Sequence, residues 1–284
     1  MDMGNIGIYN MKKTDNYFVI HNFNTDPSKL IDMCNDYIVY DCSTDIKVKQ
    51  ILADKNMNVI DVDNTGHNIS SYFHFFSENY DRLPQMMCLM KGNMIGRHCS
   101  EEFFQRVYDN KFFTYLYEDK NVITKQNVNF LAMENMYCEI NNSWYVTSNQ
   151  HPHKYFDDFN RLLRFVYKTP VIPEYCLFSP GACYIVSKEQ ILMHSRAFYK
   201  NLNKIMTYGM NPSFPSEAHQ IERMLPVIFS ANYEENEWMN DECEFEYRLQ
   251  EEKKITQKKD DARDLRGIHR IFYKLDMKRN NPEC

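Results

Sequence analysis

Apolar and polar positions change period repeatedly along the first hundred residues. Tyr17-Phe18-Val19-Ile20-His21-Asn22-Phe23 is aromatic and β-branched and stops at Asn24-Thr25-Asp26-Pro27, which predicts a buried strand running into a loop. Compact apolar runs at 37–40, 58–62 and 86–90 predict three more strands. Short helices are expected over 28–35 and 47–54. Positions 69, 72, 73, 76 and 80 recur at helical spacing, so 68–80 should be a helix stopped by Leu83-Pro84. Strand, loop and helix thus recur about three times. This alternation predicts an α/β fold with a central, mostly parallel sheet and helices on its faces.

The middle of the chain is less regular. Helices are expected over 100–107, 157–166 and 188–206 and from Ser216 onward. The segment 178–186 reads as a turn feeding a strand, and the Asn-rich 120–150 as loops with short strands. Aromatic stripes (Tyr72, Phe73, Phe76; Phe112, Phe113, Tyr115) are assigned to the core.

After Tyr233 the pattern becomes one of charge. Residues 234–252 carry nine acidic groups and one Arg, and 253–279 carry ten basic groups and four acidic ones. The expectation is a domain over 1–232 followed by a charged helical extension over 233–284. That extension would be peripheral, with its two halves pairing through charge.

Composition narrows the function classes. The chain has 284 residues, and its 19 Phe, 20 Tyr and 17 Met exclude disorder along the whole length. A net charge of −6 argues against a nucleic-acid binder that relies on a general basic field. The basic tail leaves peripheral contact with an anionic membrane open. Nine cysteines without any C-x-x-C pair, mostly in apolar text, read as reduced core thiols. Neither a signal peptide nor a membrane-spanning run is apparent, so a cytoplasmic location is expected.

Parallel sheets bind ligands at the carboxyl ends of their strands. Those ends fall at Asn22, at Asp41, at Asp61 to Asn64 and at Lys91-Gly92-Asn93. Ile38-Val39-Tyr40-Asp41-Cys42-Ser43-Thr44-Asp45 resembles the nucleotide-binding signature of family-2-type glycosyltransferases with the GT-A fold. In them a hydrophobic strand ends in Asp before Ser-Thr-Asp. A carboxylate there can accept a hydrogen bond from a uracil imide N–H, with Ser43 shaping the pocket. Asn64-Thr65-Gly66 stands where that family has an Asn-x-Gly turn. The following strand should end in a metal-binding Asp-x-Asp, but here it ends Lys91-Gly92-Asn93. A divalent metal (Mn or Mg) therefore stays open, or Lys91 supplies the positive charge instead. Asp61 and Asp63 spell Asp-x-Asp one strand early and are the remaining metal candidates.

A longer resemblance covers roughly residues 17–230. It is to a domain of unknown function in fungi, bacteria and some viruses that is regarded as glycosyltransferase-like. The matching blocks are 64–67, 72–84, 179–187 and 219–229. The AT-rich character of the residue usage suggests a viral or bacterial source. The resemblances imply a GT-A-like fold and a transferase of glycan biosynthesis. Such an enzyme moves a sugar from a nucleotide-sugar donor to a hydroxyl of a glycan or protein acceptor.

An acceptor hydroxyl needs a general base, and Glu222 or Glu217 occupies the place expected for it, with His219 between them. Residues 219 and 222 share a helix face, whereas 217 faces elsewhere. The alternative is that Glu222 and Arg223 are structural ion-pair formers. The His151-Pro152-His153 stretch is read as a loop. Two other readings stay open: a non-catalytic glycan- or nucleotide-binding descendant of the fold, and a structural or interaction protein acting through its charged tail.

Overall fold

The computed structural model describes residues 12–118, 130–133, 136–141, 152–208 and 215–280. Strands β1 (Tyr17–Asn22), β2 (Tyr37–Asp41), β3 (Val59–Asp61) and β4 (Met86–Lys91) are parallel to one another. The six-stranded sheet has the order β3-β2-β1-β4-β9-β5. It is completed by β5 (Thr114–Tyr115) and by β9 (Tyr184–Ser187), which runs antiparallel to both of its neighbours. A second, antiparallel sheet is built from β6 (Phe130–Met133), β7 (Met136–Ile140) and β8 (Tyr175–Phe178).

The central strands are apolar on both faces because helices cover both faces. Side chains alternate with a period of two. Val19, Tyr40, Met87 and Leu89 face one core, and Phe18, Ile20, Val39, Cys88 and Met90 face the other. Helix α3 (His67–Glu78) lies on the first face with α5 (Phe159–Val166), α7 (Arg196–Met206) and α8 (Ser216–Ser230). The second face is covered by α1 (Ser28–Ile31) and α4 (Glu101–Val107) through Leu30, Phe103 and Phe104. Helix α2 (Ile46–Asp54) follows β2, and its start is capped by the Asp45 side chain.

Three expectations change. The helix over 188–206 is two helices, α6 (Lys188–Ile191) and α7. Ser187 caps the first in a reciprocal capping box with Gln190, and Ser195 starts the second by accepting the Phe198 N–H. Phe112 is exposed, while Phe113 and Tyr115 pack on the core. Phe112 sits in the bend that precedes β5, outside the strand itself.

The charged extension does not fold back on itself. Its helix, α9 (Glu242–Asn280), is continuous over 39 residues, about 58 Å at 1.5 Å per residue. The acidic and basic halves therefore lie end to end. Their charges pair within a turn (Glu244–Arg248, Glu251–Lys254) and with the body. Glu252 meets Arg161, and Lys259 and Arg263 meet Asp157. The extension is also anchored, because Met239, Phe245 and Leu249 are buried in the main core.

Seven of the cysteines (34, 42, 88, 99, 138, 176 and 183) are buried free thiols, and Cys243 is exposed. No described helix is long and apolar enough to cross a membrane.

Candidate functional site

The strand order 3-2-1-4 reverses direction between β1 and β4, and in open α/β sheets ligands enter the crevice at such a switch point. Register places the candidate residues along that edge. Asn22 lies opposite Asp41, Asp41 opposite Asp61, and His21 opposite Lys91. Strand parity then divides them. Asn22 and Asp41 continue the face of Ile20 and Val39, whereas His21 and Lys91 continue the face of Val19 and Leu89.

On the first side the polar groups satisfy one another. Asp41 Oδ1 accepts hydrogen bonds from Asn22 Nδ2 (2.9 Å) and from the Ser43 hydroxyl (2.7 Å). Ser43 Oγ in turn accepts the Asn24 N–H, and Thr25 Oγ1 donates to Asn22 Oδ1. Gly92 seals this knot: a Cβ there would lie 2.2 Å from Asn22 Oδ1 and 2.6 Å from Thr25 Oγ1. Only Asp41 Oδ2 is left without a hydrogen-bond partner, with the Lys49 ammonium 3.7 Å away.

A shallow depression of about 320 Å³ opens here, lined by Asp41, Ser43, Lys49, Asp61 and Asp63 among others. The Lys49 ammonium sits 2.7 Å from Asp61. A divalent ion at Asp61 would have to displace that built-in cation, so these residues do not fit a metal as they stand. Among the described residues no group of three or more His, Cys, Asp or Glu side chains is arranged to hold one.

The second side holds the larger cavity, about 480 Å³. Lys91 lines it from the end of β4, together with His67 and Asn68 at the start of α3, and His219 and Glu222 on α8. Arg97, His98 and Arg223 add further nitrogen groups, and Tyr117, Tyr137 and Phe178 form an aromatic wall. The backbone is shaped for this. Gly66 and His67 are both left-handed (φ 68° and 57°), turning the chain from β3 into α3, and Gly181 and Ala182 are left-handed across the cavity (φ 84° and 54°). His98 packs so closely on Gly181 that a Cβ there would lie 2.5 Å from His98 Nε2.

Electrostatics follow from burial beside cations. Burial, then His219 and Lys91, pushes His67 down to about 3. His98 is lowered to about 4 by burial, then by Lys91 and Arg97. His21, which hydrogen-bonds Ser71 at 2.9 Å, is lowered to about 4 by burial and Lys91. All three imidazoles are therefore neutral at pH 7.

Glu222 presents a carboxylate to the cavity while its Oε1 accepts the Gly181 N–H at 2.7 Å and its Oε2 accepts from Arg223 at 3.0 Å. Arg223 is held by Glu139 through two bonds (2.9 and 2.6 Å) and lies over the Phe178 ring. Glu222 and Arg223 are thus ion-pair formers, here with each other, and Glu222 lines the cavity at the same time.

Glu217 is elsewhere. It is fully buried, with Oε1 accepting three backbone N–H groups (Lys154, Tyr155 and Phe156) and Oε2 accepting the Tyr208 hydroxyl. It ties the 154–156 segment to α8 and does not line the cavity. Gly66 caps α3 against Met206 and Thr207. Asn93 precedes a turn over 94–97, and neither it nor Asn64 lines the two recesses described above. His153 pairs with Asp260 on α9 at 3.2 Å, and His151 lies outside the described residues.

Sequence reasoning missed four contributors: His67, Arg97, His98 and the Glu139–Arg223 pair. His67 adjoins the Asn64-Thr65-Gly66 turn already singled out. Glu139, 84 residues from its partner, carried no local signal.

Fold and site define an α/β protein with a cation-rich, aromatic-walled cleft at the switch point of its sheet. Residues 34–248 match the family described as a protein of unknown function (DUF3431), and the chain belongs to that family. No curated protein and no solved structure matches the chain.

Proposed function

We propose that the protein is a GT-A-like glycosyltransferase whose reaction centre is the 480 Å³ cavity. The observation that carries this reading is that Lys91 and Glu222, far apart in sequence, line that one cavity at the switch point of the sheet. In the proposed reaction the acceptor hydroxyl gives its proton to the Glu222 carboxylate and its oxygen bonds to the sugar's anomeric carbon. The bond from that carbon to the donor phosphate breaks, and the nucleoside diphosphate leaves with the electron pair. Lys91 and Arg97 meet the charge that develops there, in the role a metal ion fills in related chemistry. The volume is in the range of small-ligand sites, and the wall of Tyr117, Tyr137 and Phe178 suits the apolar face of a sugar ring. Asp41 lies two strands from Lys91 with its side chain on the opposite face of the sheet, so the donor would have to cross the carboxyl edge for its nucleobase to reach Oδ2. His219 stands beside Glu222 and orients the acceptor.

One observation favours a second reading, a non-catalytic nucleotide- or glycan-binding protein: both Glu222 oxygens already accept a hydrogen bond from the protein, so the carboxylate is engaged in structure before any acceptor arrives. The test is release of nucleoside diphosphate by the full chain from a panel of nucleotide sugars, with EDTA and with Mn²⁺. Turnover should survive EDTA, and Glu222→Gln should lower kcat by roughly 10²–10⁴-fold, the range for loss of a general base. Binding without turnover would establish the second reading. Absence of any thermal shift with nucleotides, nucleotide sugars or glycans would refute both. An unchanged nucleotide affinity in Asp41→Ala would remove the nucleobase assignment alone.

A further inference from the structure

The distal part of α9 is a helix with one face unaccounted for. Among the described residues its last pairing with the body is Arg263 to Asp157 at 2.7 Å. From Asp261 onward every described side chain of the helix is exposed. Among them Leu265, Ile268, Ile271, Phe272 and Leu275 are 48–62 % exposed. Their spacing of three and four places them on one stripe of the helix. Arg263, Arg266 and Arg270 fall on the other side of the same turns. Between 263 and 280 the sequence has six Lys or Arg (263, 266, 270, 274, 278 and 279) against Asp264 and Asp276, on a chain whose net charge is −6. Positive charge is thus concentrated where the apolar stripe is exposed.

We infer that this segment is a membrane-surface anchor. Residues 265–280 would lie along an anionic bilayer, with the Leu265–Leu275 stripe in the headgroup–acyl boundary and the arginines on the polar face, within reach of the negative surface potential. The helix is too polar to span, in keeping with the absence of a spanning helix among the described residues. Charge also selects the occupant. A second copy of the helix would bring two cationic segments together. The stripe offers only about two heptads, fewer than the three or four that mark a coiled coil. An anionic lipid surface instead complements the arginines, and the acidic remainder of the chain would be held off it. The inference stands independently of the glycosyltransferase reading.

The test is co-sedimentation of the full chain with phosphatidylcholine vesicles and with phosphatidylserine–phosphatidylcholine vesicles, alongside sedimentation equilibrium of the protein alone. The expected result is binding to the anionic vesicles only, weakened by added salt. Each basic side chain near such a surface contributes roughly fivefold in partition, so Arg266→Glu with Arg270→Glu should lower it by about 25-fold or more. Ile268→Asp with Phe272→Asp should abolish it. These side chains are exposed beyond the last contact with the body, so circular dichroism and melting of the variants should match the parent. Absence of vesicle binding, or binding indifferent to both double variants, would overturn the inference. So would a stable dimer, broken by Phe272→Asp, that ignores lipid.

Discussion

Glu217 and Glu222 sit five residues apart on α8, and the structure separates their roles in a way that stability measurements can check. Replacing Glu217 by Ala removes the acceptor for three backbone N–H groups and the Tyr208 hydroxyl, all beside a fully buried carboxylate. Each buried donor left without a partner costs about 1–3 kcal/mol. Water entering the vacated space restores some of these bonds, so a net loss of about 4 kcal/mol is expected. Glu217→Gln keeps an oxygen for the three N–H groups and can donate from its amide to the Tyr208 oxygen. Only charge assistance is lost, and about 1–2 kcal/mol should disappear. For a chain of this size 1 kcal/mol corresponds to roughly 2–4 °C. The Ala variant should therefore melt roughly 8–16 °C lower and the Gln variant only a few degrees lower, while Glu222→Gln, which keeps an acceptor for the Gly181 N–H and leaves Arg223 paired with Glu139, should cost no more than Glu217→Gln. Urea unfolding followed by circular dichroism provides the free energies. A native-like melt for Glu217→Ala together with loss of turnover would refute the scaffold role and return Glu217 to the chemistry.

Other expectations follow from the same geometry. Gly181→Ala combines a φ of 84° with a Cβ 2.5 Å from His98 Nε2, so it should cost about 1–3 kcal/mol and weaken binding in the cavity, as read by denaturation and ligand-induced thermal shift. His67, His98 and His21 are held neutral down to about 3, 4 and 4, whereas an unfolded imidazole protonates near 6.5. Unfolding therefore takes up protons as pH falls. The stability is complete above pH 6.5 and is lost through the window from 6.5 toward 4, at up to about 1.4 kcal/mol per pH unit for each histidine; urea midpoints at pH 7, 6 and 5 should fall in that order, and His98→Gln should reduce the slope by about one proton. Asp157, whose carboxyl is held near 2 against burial by Arg161 and Lys259, fastens α9 to the body. Asp157→Asn should raise amide exchange over 252–263 while exchange in β1 and β4 stays unchanged.

Much of the fold was legible in the chain. The four parallel strands and the α3 helix follow from local hydrophobic period, which acts over a few residues. The carboxyl edge was legible too, because alternation of strand and helix puts all the parallel strand ends on one side. Less visible was how that edge divides. A one-residue difference in parity sends Asn22 and Asp41 to one face and His21 and Lys91 to the other. A parity difference has an effect only once helices have covered both faces. The break at Leu192–His194 depended on Ser195 capping a new helix, and a second period of apolar residues ran through it unchanged.

Sequence by itself determined the class of fold, the strand ends and the shift to charge after Tyr233, because each is written in short-range patterns of side-chain type. Tertiary structure alone decided that Glu222 opens on the cavity while Glu217 is consumed by backbone N–H groups, that His67 and His98 join Lys91, and that Glu139 clamps Arg223. Those partners come together across tens to more than a hundred residues, and only the packing of α3, α8 and the second sheet against β4 and β9 places them within hydrogen-bond or ring-contact range.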